Sequence, residues 1–333
     1  MFKRFLKNNN VQGYRVQQLY DQYFKQVISS WDELTNWPKD LREKLKEEVP
    51  FTELVNFTEF PSSDHKTIKV LTNTKEGFPV ESVLMRNKDR ITVCISCMSG
   101  CPVGCKFCAT GRMGLNKSLS THEIMDQIMY FQRKLKATGE KITNIVYMGM
   151  GEPLLNLKHV SESINLLTDS NVMAMSARRI TVSTSGYIPQ LEEFLKKDMG
   201  VNLAISLHAP NQKLREKLMP TVAKLNPLDK LMEVLIKDQK KRNKKITYEY
   251  LMLKDITDTP ECAKELAKLL KNQIVLVNLI NFNKVNGISY EPSTRKRIEG
   301  FKAVLDSRGI TNTLRYSYGS DIKGACGQLA SIS

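Results

Sequence analysis

Three cysteines packed into one short stretch, Cys101-Pro-Val-Gly-Cys105-Lys-Phe-Cys108, have the residue types and spacing to do chemistry. The pattern C-x3-C-x2-C, with Gly104 and Gly111 around it, lets a tight loop present three thiolates to three irons of a 4Fe-4S cube. The fourth iron then has no protein ligand and is free to bind a small molecule. A zinc loop is the competing reading. Structural zinc prefers paired cysteines two residues apart with a fourth Cys or His close by, and none follows here at short spacing. The open-cornered cluster accounts better for the pattern, so Cys101, Cys105 and Cys108 are the expected metal ligands.

Such a loop needs a scaffold that aims it. From Ile91 to Leu314 apolar strand-like runs alternate with amphipathic helical stretches, the sequence form of βαβ units and a parallel sheet. The expected strands are Ile91 to Ser96, Ile142 to Met148, Arg179 to Thr184, Val201 to Leu207, Lys245 to Leu253 and Ile274 to Phe282. The helix after the cysteine loop opens on a capping box, Ser120-Thr-His-Glu123, and that after the last strand opens near Ser293. Six units give an α/β fold, an incomplete (β/α)6 barrel, whose chemistry belongs at the carboxyl ends of the strands. The cysteine loop lies just past the first of them. Tyr14 to Glu48 reads as helical, broken at Asn36-Trp37-Pro38, and Thr67 to Leu71 and Val80 to Met85 read as a hairpin. The expected division is an N-terminal helical accessory segment with hairpin over 1–86, a core over 87–319 and a tail over 320–333. The accessory segment either packs against the barrel or grips a partner.

At 333 residues, 41% hydrophobic and 26% charged, the chain can bury a sizeable core. No apolar run approaches the roughly 18 residues a bilayer span needs, and the start at Met1 has too short an apolar stretch for a signal peptide. A cytoplasmic monomer without membrane attachment is expected. Seven cysteines, an odd count, suit a reducing compartment better than a disulfide scaffold. Fifty basic against thirty-five acidic residues leave a net charge of +15, which favours a polyanionic partner such as RNA. Basic clusters recur at Arg178-Arg179, Lys240-Lys241-Arg242 and Arg295-Lys296-Arg297. Any one of these could be a solvated helix face.

The C-x3-C-x2-C spacing resembles the signature of the radical S-adenosylmethionine (SAM) enzymes, in which the open iron chelates the methionine end of SAM. Polar groups at the expected strand ends agree with such a ligand. They are Gly151 and Glu152, Ser183-Thr-Ser185-Gly186, Ser206-Leu207-His208 and Asn283. An amine, a carboxylate, a ribose and an adenine need this mixture of donors and acceptors around one mouth. Neither a G-x-G-x-x-G fingerprint nor a Walker loop is present, which disfavours ordinary dinucleotide or ATP sites.

Longer motifs narrow the resemblance. Val93-Cys94-Ile-Ser, Gly149-Met-Gly-Glu-Pro-Leu-Leu-Asn156, Ser206-Leu-His-Ala-Pro210 and Asp321-Ile-Lys-Gly-Ala-Cys326-Gly-Gln-Leu329 are similar, in order, to the RlmN/Cfr family of radical SAM RNA adenine methyltransferases. Pro153 after Gly-Glu, where the Cfr branch has alanine, leans towards the RlmN branch. The resemblance implies a 4Fe-4S cluster on Cys101, Cys105 and Cys108, and two SAM molecules per turnover. It implies a SAM site built from Gly151, Glu152, Ser183, Ser206, Leu207, His208 and Asn283. Its catalytic residues are Cys326 in the tail, which carries the methyl as a thioether, Cys94, which forms a transient disulfide with it, and Glu81 as proton acceptor. The implied substrates are 23S rRNA in the peptidyl-transferase region and the adenine next to the anticodon of tRNAs. The implied electron donor is a flavodoxin-like or ferredoxin-like protein. The RlmN branch acts on adenine carbon 2 and the Cfr branch on carbon 8.

Two readings from other classes compete. A radical SAM activase of a partner protein would keep the cluster but have no use for Cys94 and Cys326, and an RNA-binding module would carry structural zinc instead. Cys97 and Cys262 read as inert.

Overall fold

The computed structural model describes residues 2–330; Met1 of the accessory segment and residues 331–333 of the tail lie outside the described residues. Its organising element is a ten-stranded sheet. The strands in the chain are β1 (Val55–Pro61), β2 (Thr67–Asn73), β3 (Pro79–Asn87), β4 (Arg90–Ile95), β5 (Met98–Gly100), β6 (Leu115–Ser118), β7 (Asn144–Tyr147), β8 (Ile180–Thr184), β9 (Asn202–Ser206), β10 (Ile246–Met252), β11 (Val275–Asn281) and β12 (Asn312–Arg315). The large sheet runs β1-β2-β3-β4-β7-β8-β9-β10-β11-β12, and β5 and β6 pair separately after the first barrel strand.

Within the large sheet every pairing from β4 to β12 is parallel, with helices as crossovers. The six expected barrel strands are all present, each within a residue or two of its expected ends. The sheet does not close on itself, so the barrel is incomplete. A seventh short parallel strand, β12, joins its edge; being half exposed, it lacks the apolar run that marks the others. On the other side β1, β2 and β3 extend the same sheet antiparallel through β4. The hairpin expected there is two strands of this three-strand meander. β1 was not expected because it is an edge strand with only partial burial and polar residues at Asn56, Thr58 and Glu59.

The helix Thr121–Lys136 opens on the expected capping box, Ser120 and Glu123 exchanging bonds with each other's backbone. The N-terminal region departs further from its sequence reading. Helix Gly13–Tyr20 runs into a π-helical turn, Asp21–Lys25, and regular helix resumes only at Lys39–Glu48. Burial outweighs helix continuity between them. The Trp31 and Trp37 indoles are buried and donate to the carbonyls of Val49 (2.9 Å) and Arg15 (3.0 Å), and Val27 turns through a positive φ of 56°.

These N-terminal elements share one apolar core with the barrel helices. Two side chains on helix Thr121–Lys136, half-buried Arg133 and buried Asp126, fasten the joint. The Arg133 guanidinium donates to Ile28 O (2.9 Å) and lies over the Phe51 ring, and Asp126 Oδ2 accepts the backbone N–H groups of Glu53 (2.6 Å) and Leu54 (3.1 Å). Burial pushes the Asp126 carboxyl up to about 7, against those two donors. An acid raised in the folded state costs nothing below its unfolded pKa, about 3.9, and destabilises progressively as pH rises through its folded value. Stability is therefore expected to fall between about pH 4 and 7 by this group's contribution. Asp126→Asn, which keeps an acceptor oxygen, should flatten that fall, whereas Asp126→Ala should cost about 2–4 kcal/mol by stranding two buried donors. Urea unfolding across this pH range checks both. Among the described residues no helix is long and apolar enough to cross a membrane.

Candidate active site

The cysteine loop leaves β5 and is held closed by glycine. A Cβ on Gly111 would stand 2.8 Å from Cys105 O and 2.9 Å from Cys105 N, so only glycine lets the short helix Ala109–Arg112 lie this close to the loop. Beneath the loop, Val103 and Phe107 pack with Leu218, Met219 and Val222 of the β9–β10 crossover, and Lys106 N–H donates to Leu218 O (2.9 Å). Burial pushes the Cys101 thiol up to about 12 and raises those of Cys105 and Cys108 as well. The loop thus holds neutral thiols until a metal displaces their protons. Among the described residues no three Cys, His, Asp or Glu side chains converge tightly enough to hold one metal ion. Three soft thiols offered by one short loop, with no carboxylate or imidazole among them, are a donor set that three separate irons of a cube can take. Gly111→Ala is expected to cut iron content after anaerobic reconstitution by about five- to a hundredfold, because the added methyl must displace the Cys105 peptide at a cost of order 1–3 kcal/mol. Iron analysis of the purified variant reads this.

A cavity at the carboxyl ends of the strands is lined by Cys101, Cys105, Cys108, Gly151, Glu152, Ser183, Ser206, His208 and Cys326. Residues widely separated in the chain converge there because parallel strands all end on the same side. Gly151 turns through a φ of 103°, and a Cβ on it would overlap Met98. Glu152 is buried, and burial raises its pKa. Its oxygens accept from Leu154 N (3.1 Å), Ser185 N (2.7 Å) and Ser185 Oγ (2.6 Å). Three of a carboxylate's four lone-pair sites are thereby filled, leaving one for a ligand's donor. Ser183 Oγ and Ser206 Oγ lie 3.2 Å apart. His208 adopts a φ of 56°, its ring edge-on to Phe107 at 4.9 Å, with Nδ1 unpartnered; burial and then Arg215 hold its pKa down to about 3, so it is neutral. Backbone strain of this kind persists where the surroundings fix it.

Leu207 and Asn283 lie outside the cavity lining. The Leu207 side chain is in the main core and its N–H donates to Glu249 O (3.1 Å). The Asn283 amide donates to the carbonyl of Cys326 (3.1 Å), so it holds the tail. Further staples come from the residues just after Cys108: Ala109 N–H donates to Gly327 O (2.8 Å) and the Thr110 hydroxyl to Leu329 O. The tail is thus tied to the cysteine loop itself.

A second, larger groove meets the first cavity at Cys326, which lines both, and Cys94 lies in this groove. Cys94 sits on β4 between Val83 and Val146, and burial pushes its thiol up to about 12. All seven cysteines are free thiols, so the structure contains no disulfide, the Cys94–Cys326 pairing implied by the resemblance included. Glu81, on β3, is 1% exposed and lines neither space. Its Oε1 pairs with the Lys69 ammonium at 3.0 Å, its Oε2 has no partner, and its carbonyl accepts from Ser96 Oγ (2.6 Å). Cys97 is buried against Met150 O, and Cys262 is buried on helix Pro260–Leu269.

Sequence reasoning missed three charged residues here. Glu249 on β10 is buried, bonded to the Asn278 amide (2.9 Å) and 3.5 Å from the Arg315 guanidinium on β12. Burial opposes the Arg315 charge, but Cys326, Glu249 and Cys94 outweigh it and raise its pKa. Arg215 is fully buried under the cysteine loop, donating to Ser185 O. A glutamate amid Tyr248 and Tyr250 in an apolar strand was a visible signal. The two arginines gave none, since each reads as an ordinary surface cation.

Residues 95–270 match the family model described as "Radical SAM superfamily". Over 322 residues, 96% of this chain and 91% of the relative, the chain is 43% identical to a "Probable dual-specificity RNA methyltransferase RlmN" of Dictyoglomus thermophilum. A protein of the same description from Staphylococcus carnosus is 39% identical over 98% of this chain and 89% of its own. The crystal structure of a radical SAM methyltransferase from Sphaerobacter thermophilus superposes with a TM-score of 0.95 at 38% identity, covering 98% of this chain and 96% of that one.

Proposed function

This chain belongs to the RlmN family of radical SAM methyltransferases, and on that basis we propose that it methylates carbon 2 of adenine in RNA. The proposed substrates are an adenine in the peptidyl-transferase region of 23S rRNA and the adenine next to the anticodon of tRNAs. The observation that carries the reading is Cys326, a tail thiol that, together with the loop's Cys108, lines both the polar cavity beside the cysteine loop and the groove that holds Cys94. A thiol at such a junction can accept a one-carbon unit on one side and present it on the other.

Cys101, Cys105 and Cys108 would hold the cluster, with Gly151, Glu152, Ser183, Ser206 and His208 around SAM. When bound, cluster and SAM supply a methyl group and the radical chemistry that a ring carbon between two nitrogens, too electron-poor to attack a methyl sulfonium, requires. The chain's own residues do the rest. The Cys326 thiol gives up its proton and becomes a methyl thioether, held by Asn283 and the residues after Cys108. After carbon–carbon bond formation links that methyl carbon to the ring, Glu81 would take the ring proton. Cys94, as thiolate, then attacks the Cys326 sulfur; a disulfide forms, the sulfur–carbon bond breaks with its electron pair passing to the enamine-like carbon, which takes a proton to become the methyl group, the methylated RNA leaves, and external reductant resets the pair. Glu81 is bound to Lys69 outside both spaces, so it needs a side-chain movement to reach the ring. The single free lone-pair site on Glu152 is an acceptor matched to the ammonium donor of a ligand amine.

Mass spectrometry of rRNA and tRNA from cells with and without the gene tests the proposal. The expected result is 2-methyladenosine that disappears with the gene; 8-methyladenosine, or no change in either RNA, overturns it.

A further inference from the structure

We infer that the RNA strand reaches the reactive thiols along the groove on the open side of the barrel, gripped by cations at the amino ends of the strands and stacked on Tyr316. This rests on the RNA methyltransferase reading and assigns the path of its substrate. The groove has four cations that no carboxylate claims. Arg90, Arg178, Arg179 and Lys245 line it, all are exposed, and among the described residues none forms a salt bridge. They stand at or just before the first residues of β4, β8 and β10, so the parallel sheet gathers them at one end. That is the end opposite the cysteine loop. The position matters because a barrel's amino-terminal face ordinarily serves stability, and unpaired positive charge concentrated there repels itself unless a polyanion neutralises it.

A second observation is aromatic. Tyr316 follows β12 and is 72% exposed, the largest exposure among the large apolar or aromatic side chains on this surface. Its ring lies 4.8 Å from that of Tyr318, and both line the same groove. An exposed tyrosine braced by a second ring, at the opposite end of a groove that unpaired arginines also line, is a combination on which an unstacked base settles while its backbone is held by charge. The groove's inner end carries Cys94 and Cys326, so a base taken from the stack at Tyr316 is directed towards the thiols.

The probe is a fluorescein-labelled RNA hairpin with one loop adenosine, titrated against the full chain at several salt concentrations. Tyr316→Ala should weaken binding by about tenfold and Tyr316→Phe should not, since the stacking face survives. The double variant Arg178→Gln with Arg179→Gln should reduce the slope of log affinity against log salt by about two. A photoreactive adenosine in the loop should crosslink to the peptide containing Tyr316. Unchanged affinity and slope in all variants, or crosslinks confined to the N-terminal helices, overturn the inference. The methyltransferase reading is scored separately, by the mass of the wild-type tail peptide after incubation with SAM. Absence of a methyl on Cys326 counts against that reading and leaves the hairpin result to decide the path.

Discussion

Cys326→Ala is expected to abolish RNA methylation, by roughly 10⁴-fold or more, the order of loss seen when a covalent nucleophile is removed. The structure makes this a clean substitution. The Cys326 residue is exposed, and its recorded tether is its backbone carbonyl, held by Asn283, so alanine should keep the tail in place. Iron content and SAM binding should therefore be retained while transfer stops. Cys94→Ala gives the complementary result. With the carbon bridge made but no thiol to break the sulfur–carbon bond, RNA should accumulate attached to the protein, visible as a slow band on a denaturing gel. Buried and pushed to about 12, the Cys94 thiol must also lose its proton to act, so release should quicken as pH rises. Full turnover by Cys326→Ala would favour an activase, which has no need of a tail thiol.

Cys105→Ala should leave the protein folded but colourless. Removing one of three thiolates leaves an iron of the cube without its ligand, and the visible absorption and iron content after anaerobic reconstitution should fall to near background, with methylation falling alongside. Cys97→Ala and Cys262→Ala are the controls. Both side chains are buried and neither lines the cavity, Cys97 lying behind Gly151 with its thiol on Met150 O and Cys262 having its thiol on Ile256 O, so each should keep its iron and lose only about 1 kcal/mol of stability to a small void. A zinc module would behave differently: its loop would bind a colourless metal and Cys105→Ala would unfold it. The neutral, buried state of the free thiols adds a further expectation, that cluster loading releases protons and improves with pH.

The parts of the fold that were legible share a physical cause. Barrel strands are buried on both faces and so read as apolar runs, and the Ser120–Glu123 box is a local bond pattern written in four residues. β1 and β12 escaped because edge strands are half exposed, and residues 26–35 because two tryptophans found backbone carbonyls that only the folded chain brings near, while the expected break at Asn36-Trp37-Pro38 is present. The glycine-rich cysteine motif was legible for the same reason as the capping box, being a short-range geometric requirement.

What the sequence determined by itself was the reagent set: three thiols at cluster spacing, two more at 94 and 326, polar groups at strand ends, and a surplus of positive charge. Tertiary structure alone decided how they are used. It tied the tail to the residues after Cys108, set the Asn283 amide on the Cys326 carbonyl, kept Glu81 on Lys69, buried Arg215 under the cysteine loop and brought half-buried Arg315 beside the Cys94 and Cys326 thiols. Local spacing fixes which atoms a loop can offer, but contacts between residues hundreds apart depend on how the whole sheet curves, and no short stretch of sequence encodes that.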